Sequence, residues 1–303
     1  MGSKKQYIAA GLVASACCAC MVIFPSVALY SAQKGISLWT QSVLPALLPF
    51  FICANFLNYI GAVKILRPSL FPFAMSVLSG YPMGAKISGV MRREKLISKR
   101  EAMRLVSFCS TSGPTFMVGA VGAGMLGSAK AGILIAAAHY LGAIANGALY
   151  SFFLRGKEPM HAVPLKRRNQ DLLEIFTDAI LSSFKALAII LAYIVLFMFL
   201  TDLMHLGGIF SLIDLPPAQA MAKGFFEMTV GCGALSECTG LSLGLKCVLS
   251  SVILSWGGMS IIGQSMSMLT GSQIGLPYFM LTKLTHSLLS GIIALLLTGC
   301  MLS

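Results

Sequence analysis

The sequence predicts an all-α polytopic membrane protein, an inverted repeat with two re-entrant hairpins and two broken helices. Three observations carry this expectation. Of the 303 residues, 57% are hydrophobic and 11% charged, with a mean hydropathy of +0.84, whereas ordinary soluble chains are about 25% charged. The second half repeats the first: Gly113, Gly119, Gly127, Ser128 and Gly147 recur as Gly257, Gly263, Gly271, Ser272 and Gly291, at one offset (257 − 113 = 144). Lys and Arg gather in short segments between apolar runs, as the positive-inside rule requires.

A membrane span needs about 20 mostly apolar residues. The first such run, 7–30, follows Lys4-Lys5 and is longer than a secretory h-region of about 7–15 residues, so 1–34 reads as an uncleaved signal anchor. Residues 39–59 return and deliver Lys64 and Arg67 to the inside. The apolar run 68–90 is broken at Ser79-Gly80-Tyr81-Pro82-Met83-Gly84 and followed at once by Arg92, Arg93, Lys95, Lys99, Arg100 and Arg104. A crossing there would put this basic cluster opposite Lys64 and Arg67; a re-entrant hairpin keeps them on one side. Residues 105–126 go out, broken at Ser110-Thr111-Ser112-Gly113-Pro114, and 131–154 return to Arg155, Lys157, Lys166, Arg167 and Arg168.

The second copy repeats this order. Residues 171–185 are mixed polar and apolar and read as an interfacial helix. Residues 186–203 cross, and 224–245 are the second hairpin. Residues 247–269 return, broken at Ser255-Trp256-Gly257-Gly258, and 276–302 exit. Copies 35–170 and 171–303 each make three crossings, an odd number, so their orientations oppose. Paired interrupted segments in matching halves point to a transporter site near the membrane midplane.

The net charge of +12 follows topology and lipid headgroups better than nucleic acid. Nine cysteines show no Cys/His spacing that suits zinc, so no metal is assigned. No H-E-x-x-H, Walker loop or G-x-S-x-G is present, which argues against an enzyme and against intrinsic ATP drive. No cofactor is called for; a coupling ion, sodium or proton, is allowed.

Candidate substrate ligands cluster at the breaks. Gly80 and Gly84 permit unusual backbone shapes, Pro82 favours the first turn of a new helix, and exposed amides there attract an anion. Lys86 stands about one turn beyond Pro82, as a ligand beside Ser79 and Tyr81 or as a side chain snorkelling to the surface. Ser110, Thr111 and Ser112, with Gly113, offer hydroxyls to a substrate or hard cation, or satisfy a kinked backbone. Glu227, Ser236 and Glu237 lie in the second hairpin, where the carboxylates bind a cation or proton, gate, or face water. Trp256 stacks on an aromatic substrate or simply packs, beside Gly257 and Gly258. Gln264, Lys283 and His286 are polar groups in apolar spans, and Lys283 is the sharpest. His139 reads as a packing or hydrogen-bonded histidine, and Gly119, Gly122 and Gly124 as helix contacts.

Residues 43–51 (Val-Leu-Pro-Ala-Leu-Leu-Pro-Phe-Phe), Ser79–Lys86, Ser112-Gly113-Pro114 and His139-Tyr140-Leu141-Gly142 resemble the YlbJ/SpoVV-type sporulation integral membrane proteins, which group with the nucleoside-recognition, or Gate, domain proteins. The similarity runs from about Gly35 to the C-terminus. It implies movement of dipicolinate from mother cell toward forespore, across the outer forespore membrane. It also implies an architecture similar to concentrative nucleoside transporters. The reading is therefore a secondary transporter or facilitator of a small anionic carboxylate, in the bacterial cell membrane or outer forespore membrane. Its partners are that anion and the bilayer, and the sequence leaves the oligomeric state open. The rivals are a nucleoside transporter of the same architecture, a non-transporting scaffold for spore assembly and, third, a membrane enzyme.

Overall fold

The computed structural model describes residues 4–60, 70–154 and 171–301. Lys64 and Arg67, and the basic residues 155–168, lie outside the described residues. Within them the chain is helical, with no strand. Four helices are long and apolar enough to cross a membrane: Ala129–Phe153, Leu172–Leu206, Leu243–Met268, counted through its break, and Leu276–Met301.

α1 (Lys4–Ile23) and α2 (Pro25–Leu38) divide what the sequence reads as a single span. Their axes bend by 103°, because Pro25 has no backbone N–H and starts a new helix at its first position. Counted as one, the bent pair is a fifth span. A π-helical turn, Trp39–Val43, leads into α3 (Leu44–Tyr59). α4 (Leu70–Ser79) and α5 (Met83–Arg93) pack on each other as the first hairpin. α6 (Lys99–Phe108) opens with a capping box, Ser98 with Glu101. The chain then unwinds and resumes as a π-helix, Thr115–Met125, before α7 (Ala129–Phe153).

α8 (Leu172–Leu206) corrects the reading of 171–185 as a separate interfacial helix. It is one helix of 35 residues, with no Gly or Pro to stop it before Gly207. At 1.5 Å per residue it is about 52 Å long, more than the roughly 30 Å hydrocarbon core, so its polar first turns extend the span. The second hairpin also begins earlier than expected: α9 is Pro216–Phe226 and α10 is Met228–Glu237. Its break falls at Glu227, whose extended backbone and carboxylate cap α10 by accepting from Val230 N. α11 (Leu243–Trp256) and α12 (Gly258–Met268) form the second broken helix, and α13 (Leu276–Met301) ends the fold.

α2 and α3 pack along α8, pinned by polar bonds. Ser31 Oγ donates to Asp202 Oδ2 at 2.7 Å, Trp39 Nε1 to Leu187 O at 3.0 Å, and Asn55 Nδ2 to Ser183 Oγ at 2.8 Å. α7, α11 and α13 pack on one another, and Asn146 Nδ2 ties them to α6 by donating to Ser107 O and Thr282 O.

Each hairpin break rests on a helix break. Gly80 has φ +77°, and a Cβ there would lie 2.6 Å from Gly113 N. Gly258 has φ +81°, and its Cβ would lie 2.9 Å from Phe226 O. Only glycine supplies both the left-handed backbone and the room at these two contacts.

Candidate functional site

A cavity of about 570 Å³ opens where these breaks meet the α2–α3–α8 wall. One side is apolar: Leu38, Val43, Pro45, Leu47 and Phe50, with Ile190 and Ile194 from α8. The other is built from interrupted backbone. The first hairpin contributes Ser79, Gly80 and Tyr81; the first broken helix, Ser112, Gly113, Thr115 and Phe116; the second hairpin, Glu227, Met228 and Thr229; and α12, Ile261 and Gln264.

Of the residues expected in the site, Ser79, Gly80, Tyr81, Ser112, Gly113, Glu227 and Gln264 line this one cavity. Ser79 Oγ and Gln264 Oε1 are buried without a hydrogen-bond partner. Such groups are costly to leave unmade, and both stand at the cavity wall. Glu227 is 2% exposed. One carboxylate oxygen caps α10 at 2.8 Å from Val230 N, and the other is 3.4 Å from Thr229 Oγ1. It is the acidic side chain of the lining, which among the described residues holds no Lys or Arg.

Other expected residues stand behind the lining. Thr111 N donates to Ser76 Oγ at 3.2 Å, and the Thr111 and Ser76 hydroxyls pair at 2.7 Å, which fastens the first hairpin to the first helix break. Pro82 and Gly84 are buried beneath the tip, and a Cβ on Gly84 would run into Cys109 O. Lys283, 1% exposed, does not reach the cavity. Its Nζ donates to Tyr81 Oη at 2.6 Å and to Ser110 O at 2.9 Å.

The remaining candidates lie away from the cavity. Lys86 turns toward α8 and α3, with Nζ 3.4 Å from Ser182 O and 5.4 Å from the Phe51 ring centre. Glu237 is exposed at the end of α10, and Ser236 O accepts from Lys246 Nζ. Trp256 stacks on Phe225, centroids 5.3 Å apart and 15° between planes, and donates to Phe225 O at 3.1 Å. It lines a second, apolar pocket. Gly257, at φ +84°, ends α11, and Gly258 supplies the contact with the second hairpin.

Of the two readings of His139, packing or hydrogen-bonded, the structure shows the hydrogen-bonded one, at the centre of the polar structure behind the cavity. Its Nε2 accepts from Ser112 N at 2.9 Å and its Nδ1 lies 2.7 Å from Ser255 Oγ. Lys283 stands 144 positions after His139, the offset that separates the paired glycines. Leu38, Gln41, Thr115 and Thr229 also line the cavity and carry no distinguishing pattern.

Fold and site define a class: an all-helical integral membrane protein whose hairpin breaks and first helix break converge, with α12, on one cavity. The chain is 31% identical to the sporulation integral membrane protein YlbJ of Bacillus subtilis (strain 168), over an alignment spanning 92% of this chain and 79% of YlbJ. It belongs to the YlbJ family. No protein-family model matches the chain, and no solved structure matches it.

Proposed function

We propose that the protein is a secondary transporter or facilitator of a small anionic carboxylate during sporulation. Dipicolinate, moved from mother cell toward forespore across the outer forespore membrane, is the substrate that the family resemblance supplies. The observation that carries the reading is the convergence of both hairpin breaks and the first unwound helix on a cavity of about 570 Å³. Ligand pockets are commonly about 300–1,000 Å³, mostly apolar, with a few convergent polar groups.

The charge balance refines the reading. An anion entering beside Glu227 meets no lysine or arginine in the lining. Its charge is therefore met by hydroxyls and by a co-bound proton or sodium held at Glu227, for which Gln264 Oε1 is a further oxygen. Lys86 and Lys283 are not assigned to the substrate.

The inverted repeat belongs to this reading and has support beyond the glycines. At the offset of 144, Ser98 and Ser242 are both N-caps, and Gly127 and Gly271 both have positive φ. Gly147 approaches Phe108 while Gly291 approaches Val252, the corresponding position. An odd number of crossings per copy would make such repeats antiparallel in the membrane.

The second reading is a neutral nucleoside substrate, favoured by the presence of both Glu227 and Gln264 in a lining that, among the described residues, has no cationic side chain. Counterflow in proteoliposomes decides between them. Labelled dipicolinate is expected to exchange, faster with an inward sodium or proton gradient, while uridine does not compete. Uridine exchange without dipicolinate exchange would select the nucleoside reading. Neither exchanging, with point variants of the cavity sporulating normally, would leave the scaffold.

A further inference from the structure

Behind the cavity, His139, Ser255, Lys283, His286 and Tyr81 form one buried hub, and its bonds run between elements distant in sequence. His139 sits on α7, fully buried. Because its Nε2 accepts the Ser112 N–H, the proton of the neutral ring is on Nδ1, which donates to Ser255 Oγ. One imidazole thus bonds the first helix break on one edge and the second on the other. A doubly protonated ring would set an N–H against the Ser112 N–H.

α13 supplies the rest. His286 Nε2 donates to His139 O at 2.9 Å, and Lys283, about one turn earlier, binds Tyr81 Oη and Ser110 O. Tyr81 Oη donates its own hydrogen to Leu254 O at 3.1 Å. The first hairpin tip is therefore also tied to both helix breaks. Unwinding leaves backbone N–H and C=O groups without helical partners, and buried groups of that kind must be satisfied. Here the satisfying groups are shared between the two breaks.

We propose that His139 and Lys283 are positioning residues that couple the two helix breaks, so that both hold or lose their unwound geometry together. Neither touches substrate, and the coupling does not depend on which solute is carried.

Hydrogen exchange of the full-length protein in nanodiscs tests this, read by peptides covering 109–114 and 254–258. Ser255→Ala removes one hydroxyl from the second break. It is expected to speed exchange in the first break about tenfold, the scale of one net hydrogen bond. His139→Leu should speed both peptides. His139→Gln, with an amide oxygen to accept from Ser112 N and an amide nitrogen to donate to Ser255 Oγ, should stay within about threefold of wild type. Lys283→Met should speed 109–114 and the Tyr81 peptide together. If Ser255→Ala speeds only 254–258, or if Gln at position 139 loosens the breaks as much as Leu, the coupling is refuted. Should His139→Leu fail to fold, Ser255→Ala alone decides.

Discussion

At the scale of single residues, burial and partners rank the charged side chains differently from their positions in sequence. Lys86 and Lys283 both interrupt apolar surroundings. Lys86 faces Ser182 O and the Phe51 ring, outside the cavity lining, so Lys86→Gln is expected to leave the apparent KM for uptake within about twofold, an effect no larger than a surface substitution. Lys283→Met should do more. It removes two buried hydrogen bonds worth roughly 0.5–1.5 kcal/mol each and leaves Ser110 O without the partner it has in the interior. A thermal unfolding midpoint that falls by several degrees in detergent checks it; an unchanged midpoint refutes the buried role. Glu227→Gln separates charge from capping, because the amide oxygen can still accept from Val230 N. The variant should fold as wild type yet lose dependence of uptake on the sodium or proton gradient, with at least about a tenfold fall in rate. Retained gradient dependence would remove Glu227 from ion coupling.

At the scale of elements, the breaks are set by short-range chemistry with one tertiary requirement. Gly80→Ala places a methyl group 2.6 Å from Gly113 N at φ +77°. Left-handed strain of about 1–2 kcal/mol then adds to a backbone clash that no rotamer relieves. Gly119→Ala, with nothing within 4 Å of its Cβ, is the control and should be neutral or slightly stabilising. Equal melting temperatures for the two variants would mean that the hairpin tip does not rest on the helix break. The breaks at 79–84, 110–114 and 255–258 were legible because Gly and Pro alter the backbone wherever they stand. The second hairpin was placed late, at 224–245, because its break carries no Pro, and its cap is a carboxylate better known for charge. The extension of α8 across 171–185 was missed because surface polarity resembles an interface signal, while helix continuity needs only the absence of a breaker.

At the scale of the whole molecule, the membrane arrangement has its own test. The basic clusters around Arg92–Arg104 and beyond Arg155 are expected on one, cytoplasmic, side. Cysteines at Ser98 and Asn169, in a background lacking the native cysteines, should label from the same face; labelling from opposite faces would rule out a re-entrant first hairpin. The sequence by itself determined membrane insertion and the interruptions at 79–84, 110–114 and 255–258. Hydropathy, glycine and proline act over a few residues, so their effects are legible without the fold. Tertiary structure alone decided which polar groups reach the cavity. Lys283 meets Tyr81 across 202 positions and His139 meets Ser255 across 116. A buried polar group settles where distant backbone leaves a partner unsatisfied, and the pattern of neighbouring residues does not encode that place.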